Sequence, residues 1–153
     1  MAKVFNSTEE IRNYVLSRMD VAVKRVQEKV YDVCSKFLNV FYGEYDPMVS
    51  ERTYQIFNSL VKSDVRRFGN TVEAEVYFDL SALSHPRQYI GQDGRTVYAN
   101  WSESQIMESV MTGATHGGRA DGTAVYIESL GMVSPQAIQW LKQELIACGV
   151  PVR

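Results

Sequence analysis

Residues 7–43, STEEIRNYVLSRMDVAVKRVQEKVYDVCSKFLNVFYG, decide the fold. Ser7-Thr8-Glu9-Glu10 is a capping-box signal, in which a Ser hydroxyl and a Glu carboxylate three residues on satisfy first-turn amides. Apolar residues then recur at Ile11, Val15, Met19, Ala22, Val26, Val30, Val33, Phe37 and Phe41. Every step is three or four residues, so these side chains share one face of a helix. Asp20, Lys24, Glu28, Asp32 and Lys36, at steps of four, predict a solvated face opposite. Nothing interrupts the pattern before Gly43, where Gly43-Glu44-Tyr45-Asp46-Pro47 supplies a stop: Gly accepts a left-handed cap and Pro forbids continuation. A helix of about 33 residues is roughly 50 Å long, against a small-domain diameter of about 30 Å. Its C-terminal half, thickened by Leu38, Val40 and Tyr42, is expected to anchor the core. Its N-terminal half, with Ile11 and Val15, is expected to be left for a neighbouring subunit.

Beyond the corner the period changes. Tyr54, Phe57, Leu60 and Val61 lead into a hairpin whose turn is Gly69-Asn70. Val72, Ala74, Val76, Phe78 and Leu80 alternate with Glu73, Glu75, Tyr77 and Asp79, predicting a half-buried strand paired with residues 60–68. Residues 81–101 read as a long loop or insertion with one small hairpin, and Ser102 to Thr112 as a short helix. Gly113 to Gly122 is turn-rich, and Thr123 to Ile127 suits a last strand. Ser134-Pro135 is placed to open a final helix, with Ile138, Leu141, Leu145 and Ile146 inward and Gly149 and Pro151 ending it. The expected fold is a single α+β domain over residues 1–153, with a long N-terminal helix and a C-terminal helix packed on a small antiparallel sheet.

Composition narrows the function. A 45% hydrophobic and 22% charged chain of 153 residues is globular. Sixteen basic against eighteen acidic side chains give a net charge of −2, without the basic stripe of a dedicated nucleic-acid binder. The N-terminus has no apolar signal region and no run reaches about 18 apolar residues, which predicts folding in the cytoplasm and no membrane role. Cys34 and Cys148 are too few for a disulfide framework.

Catalytic patterns are weak. Thr115-His116-Gly117-Gly118 could contribute to an oxyanion hole, but the Gly-x-Ser-x-Gly elbow such a hydrolase needs is absent. His85, His116, Cys34 and Cys148 lack paired metal-ligand spacing. No Walker loop or dinucleotide-binding turn occurs. We therefore expect no enzyme, cofactor or metal. The segment Phe41–Tyr54 concentrates aromatics with Arg52 and Thr53 at a helix-to-next-element junction. Arg52 suits helix-end carbonyls or an acidic partner, and Thr53 suits a cap.

Taken together, Tyr42 through Pro47, Arg52-Thr53, the run from Leu60 to Phe78, and Gly113 to Gly117 resemble the neck or tail-completion proteins of long-tailed phages and prophages. That resemblance covers about two-thirds of the chain and omits 81–101. It implies a non-enzymatic virion subunit, assembled in the host cytoplasm, that forms a homo-oligomeric ring at the head–tail junction. The implied partners are the portal or connector, the tail terminator or tail-tube proteins, and non-specifically the passing DNA. Candidate interface residues are Tyr42, Tyr45, Arg52, Thr53, His116, Ile11 and Val15. A bacterial dimeric binding or regulatory module is the alternative, and a small hydrolase using His116 a more distant one.

Overall fold

The computed structural model describes residues 4–44, 55–83, 87–90, 93–99, 102–105 and 125–152. Helix α1 runs Thr8–Glu44, 37 residues that continue one residue past Gly43. Its start is built as the sequence indicates. The Ser7 hydroxyl accepts from the Glu10 amide at 3.1 Å, and the Glu10 carboxylate accepts from the Asn6 amide at 2.8 Å. Phe5 folds back on Tyr14, ring centroids 5.1 Å apart, and closes the helix entry.

A short helix α2 (Gln55–Ser59) leads into β1 (Leu60–Lys62), β2 (Arg66–Phe68), β3 (Thr71–Glu73) and β4 (Val76–Phe78), and a 3-10 turn follows at Leu80–Ala82. The pairing is the predicted hairpin: Phe68 faces Thr71 across Gly69-Asn70, and Leu60 faces Phe78 at the far end. Gly69 takes φ +58°, the left-handed conformation a two-residue turn demands. The registers of β1–β4 and β2–β3 differ by one residue, so Asp64 and Val65 together oppose Ala74. This is a β-bulge, which bends and twists the ribbon. A separate hairpin pairs β5 (Arg87–Ile90) with β6 (Thr96–Ala99) within the predicted excursion.

The last helix corrects two expectations. Helix α3 spans Val125–Ala147 with Pro135 inside it, so Val125 to Ile127 are helical rather than strand, and Ser134-Pro135 does not open the helix. The strand preference of Val, Tyr and Ile amounts to only tenths of a kcal/mol each against helix, which tertiary contact overrides. Pro135 forgoes a bond to the carbonyl of residue 131, which is a glycine. The end matches prediction. Gly149, at φ +83°, donates to Ile146 O at 2.9 Å while Val150 donates to Leu145 O at 2.9 Å, a Schellman cap closed by contact between buried Leu145 and Val150.

Among the described residues two small cores form along α1. Leu38 joins Ile56, Leu60 and Leu83, flanked by Tyr31, Cys34, Phe37 and Phe78. Ala22 joins Leu145 and Val150, flanked by Tyr14, Met19 and Leu141. The C-terminal half of α1 thus anchors the core as expected. The N-terminal half is not left bare: the C-terminal end of α3 covers it back to Tyr14, so the exposed overhang reduces to the first turns around Ile11, itself 45% exposed. The charged face is not simply solvated either. Asp20 pairs with Arg67 and Glu28 with Lys62, because the bent ribbon lies across that flank.

The bulge creates a polar requirement that α1 meets. The Glu75 amide bonds the Ser63 hydroxyl at 2.9 Å instead of the Ser63 carbonyl, leaving that carbonyl without its strand partner. Gln27, 6% exposed, donates to it at 2.8 Å and to the Glu75 carbonyl at 2.8 Å. Replacing Gln27 with Leu keeps the volume but strands a buried carbonyl, a loss on the order of 2 kcal/mol. Urea unfolding of Gln27→Leu should show it as a lower midpoint with an unchanged slope.

Helix α3 is tied to α1 by Glu144, which takes Lys29 at 2.7 Å and Arg25 at 3.2 Å. The hydrogen bond from Lys29 leads in holding its carboxyl below the ordinary 4.5; burial opposes it, and the Arg25 hydrogen bond with both positive charges adds to the lowering. A carboxyl depressed in the folded state contributes stability above its unfolded pKa and loses it as pH falls through the folded value. Glu144→Gln should therefore lower the neutral-pH melting temperature by about 3 °C, for about 1 kcal/mol. That difference from wild type should shrink in melts taken below pH 4.5.

Candidate functional site

Among the described residues no group of three or more His, Cys, Asp or Glu side chains is gathered as a metal would need. Cys34 packs half-buried against the Leu38 cluster, while Cys148 lies 4.0 Å from an Arg25 guanidinium nitrogen at the other core. His85 and His116 lie outside the described residues. No described helix is long and apolar enough to cross a membrane.

Of the sequence-derived interface candidates, Ile11 stands exposed on the first turns of α1 and Val15 is half-buried beside it. Tyr42 lies in the last turn of α1. Tyr45, Arg52, Thr53 and His116, and with them the Tyr-rich corner, fall outside the described residues. The structure brings Ile11 and Val15 together, one turn apart on α1.

Two surface features arise that the sequence reading did not single out. The first is a shallow apolar cleft of about 250 Å³ between α3 and the ribbon. Val23, Val26 and Val30 of α1 floor it, Ala74 forms one wall, and Leu141 and Ile138 form the other. Ile138 was expected to point inward but is 65% exposed, and Ile146 is exposed as well. The reason lies in helix geometry. Helix α3 meets α1 through Leu141, Glu144, Leu145 and Cys148, and at 100° per residue positions 138 and 146 fall on its flank and outer side. The cleft exists because α1 is flanked by α3 and the ribbon along different stripes, and the two partners do not close over the valines between them.

The second feature is the outer face of the ribbon. Alternation along β2 sends Arg67 toward Asp20 and turns Arg66 and Phe68 away from α1. Phe68 is 58% exposed at the hairpin tip. On the partner strand Glu73, directly opposite Arg66, and Glu75 beyond it stay exposed, as the alternating pattern requires, and Tyr77 continues the same face at 48% exposed. The signal for Phe68 was present in the sequence: it is an aromatic residue next to a Gly-Asn turn, where little of the chain can cover it.

Exposure at these positions separates surface from core in a measurable way. Phe68→Asp and Ile138→Asp should each change stability by less than about 1 kcal/mol, as exposed substitutions do. Phe37→Asp, which puts a charge against the Leu38 cluster, should prevent folding. Circular dichroism at room temperature followed by a thermal melt distinguishes the two classes.

No family model, curated protein or solved structure matches this chain, so its function is read from the residues themselves.

Proposed function

We propose that this chain is a structural virion protein of a long-tailed bacteriophage or prophage, a ring-forming neck or tail-completion subunit at the head–tail junction. The observation that carries the reading is the sequence resemblance through Tyr42–Pro47, Arg52-Thr53, Leu60–Phe78 and Gly113–Gly117. The architecture is compatible with such a role: a 37-residue helix serves as the spine, and a ribbon and a second helix lie along it. Apolar surface left uncovered at Ile11, Phe68 and Ile138 supports a protein that completes its packing against neighbours. In this reading the partners are further copies of the chain, the portal or connector on one side, and the tail terminator or tail tube on the other. Passing DNA would meet a lumen without base readout, which requires no strongly basic chain.

Purified particles of the phage or induced prophage that encodes the chain provide the test. The protein should be present in tailed particles, and antibody-gold should label the neck. Loss of the gene should leave filled heads and tails unjoined. A stable small dimer that is absent from particles would instead favour the binding or regulatory module.

A further inference from the structure

Ser134-Pro135 has the residues of a helix start, yet it lies well inside α3. At a helix start the pair is a complete cap: a serine hydroxyl accepts first-turn amides, and proline presets φ where its missing N–H costs nothing. Inside a continuous helix the same two residues are liabilities. Pro135 offers no N–H to the carbonyl of residue 131, its ring crowds that carbonyl, and it steers Ser134 away from helical backbone. The residue left with the spare carbonyl is Gly131, after proline the poorest helix former, and a Cβ built there would meet nothing within 4 Å. Gly131, Ser134, Pro135 and Gln136 are all exposed, so solvent rather than packing surrounds the joint at these positions.

C-terminal to the joint the helix is firmly held. Leu141 and Leu145 pack at the Ala22 core, Glu144 takes Lys29 and Arg25, and the cap at Gly149 closes the end. N-terminal to it, Val125, Tyr126 and Ile127 are residues that favour extended backbone over helix.

We infer that α3 is a two-state element hinged at Gly131–Pro135. In one state the helix runs unbroken from Val125 to Ala147. In the other, Ser134 caps a shorter helix that begins at Pro135, and residues 125–133 leave the helix axis while 136–147 stay clamped to α1. The shorter helix gains a serine cap and loses no bond at Pro135; the longer one gains the turns that precede it. Any contact that residues 125–133 make better in one state than in the other shifts the balance. The segment can thus be repositioned without loosening α3 from α1. Such a hinge is independent of any role in a virion.

Hydrogen exchange on the full-length chain, resolved to single amides, tests the hinge. The reporters are amides 129–134, because first-turn amides lack helical partners in any helix. In the wild type they should exchange together, at least about tenfold faster than those of 141–147. Ser134→Ala removes the alternative cap and should slow them, whereas Ser134→Asp keeps a cap and should leave them as fast as wild type or faster. The two variants should differ by more than about fivefold, beyond the roughly threefold that helix propensity alone gives. Exchange at 141–147 should be the same in all three proteins. Amides 129–134 less than about tenfold faster than 141–147 in the wild type would overturn the hinge, as would a ratio of about fivefold or less between the variants. Exchange at 141–147 that changes along with 129–134 would equally overturn it, because the whole helix would then be opening as one.

Discussion

The fold depends on one side-chain amide. Gln27 reaches from the middle of α1 into the bulged ribbon and gives both its hydrogens to backbone carbonyls. A two-stranded ribbon alone is marginal in water, and a bulge weakens it further by breaking a ladder bond. The helix supplies what the strands give up. Because the carbonyls of Ser63 and Glu75 have fixed places relative to each other, the glutamine also fixes the ribbon's position along α1. Arg67 on Asp20 and Lys62 on Glu28 then fall into place on either side of it. Lys62 in turn rests on the Tyr31 ring, 4.6 Å from its centroid.

Much of this was legible and some was not, for reasons that can be named. The capping box at Ser7, the hairpin turn at Gly69 and the Schellman cap at Gly149 were readable because each is local: a few residues carry both the donors and the acceptors. Gln27 was not, because its partners lie 36 and 48 residues away, and in a helical pattern a Gln among valines and charges looks like surface. Asp20 and Glu28 misled in the same way. Charges spaced four apart predict water, but here basic residues on β1 and β2 supply the solvent's role.

The C-terminal helix shows a different limit. Ser134-Pro135 has every local feature of a helix start, and the preceding Val-Tyr-Ile favours a strand. Both signals are worth little beside the contact α3 makes with α1. The surface features proved less legible than the elements. Ile138 is an apolar residue in an apolar pattern, and what distinguishes it is where the neighbouring elements stop; Phe68, beside a Gly-Asn turn, carried a local signal.

The division of the interior into two clusters, one around Leu38 and one around Ala22 and Leu145, has a dynamic meaning. Among the described residues neither cluster shares a buried residue with the other, and α1 runs through both. Regions held by separate sets of contacts open with separate free energies. The ribbon with α2 forms one such unit and α3 the other, and either can come away while the remaining one still holds half of the helix. Hydrogen exchange along α1 then reports both: slowest near its middle, where the two units overlap, and faster toward each end as one unit or the other lets go.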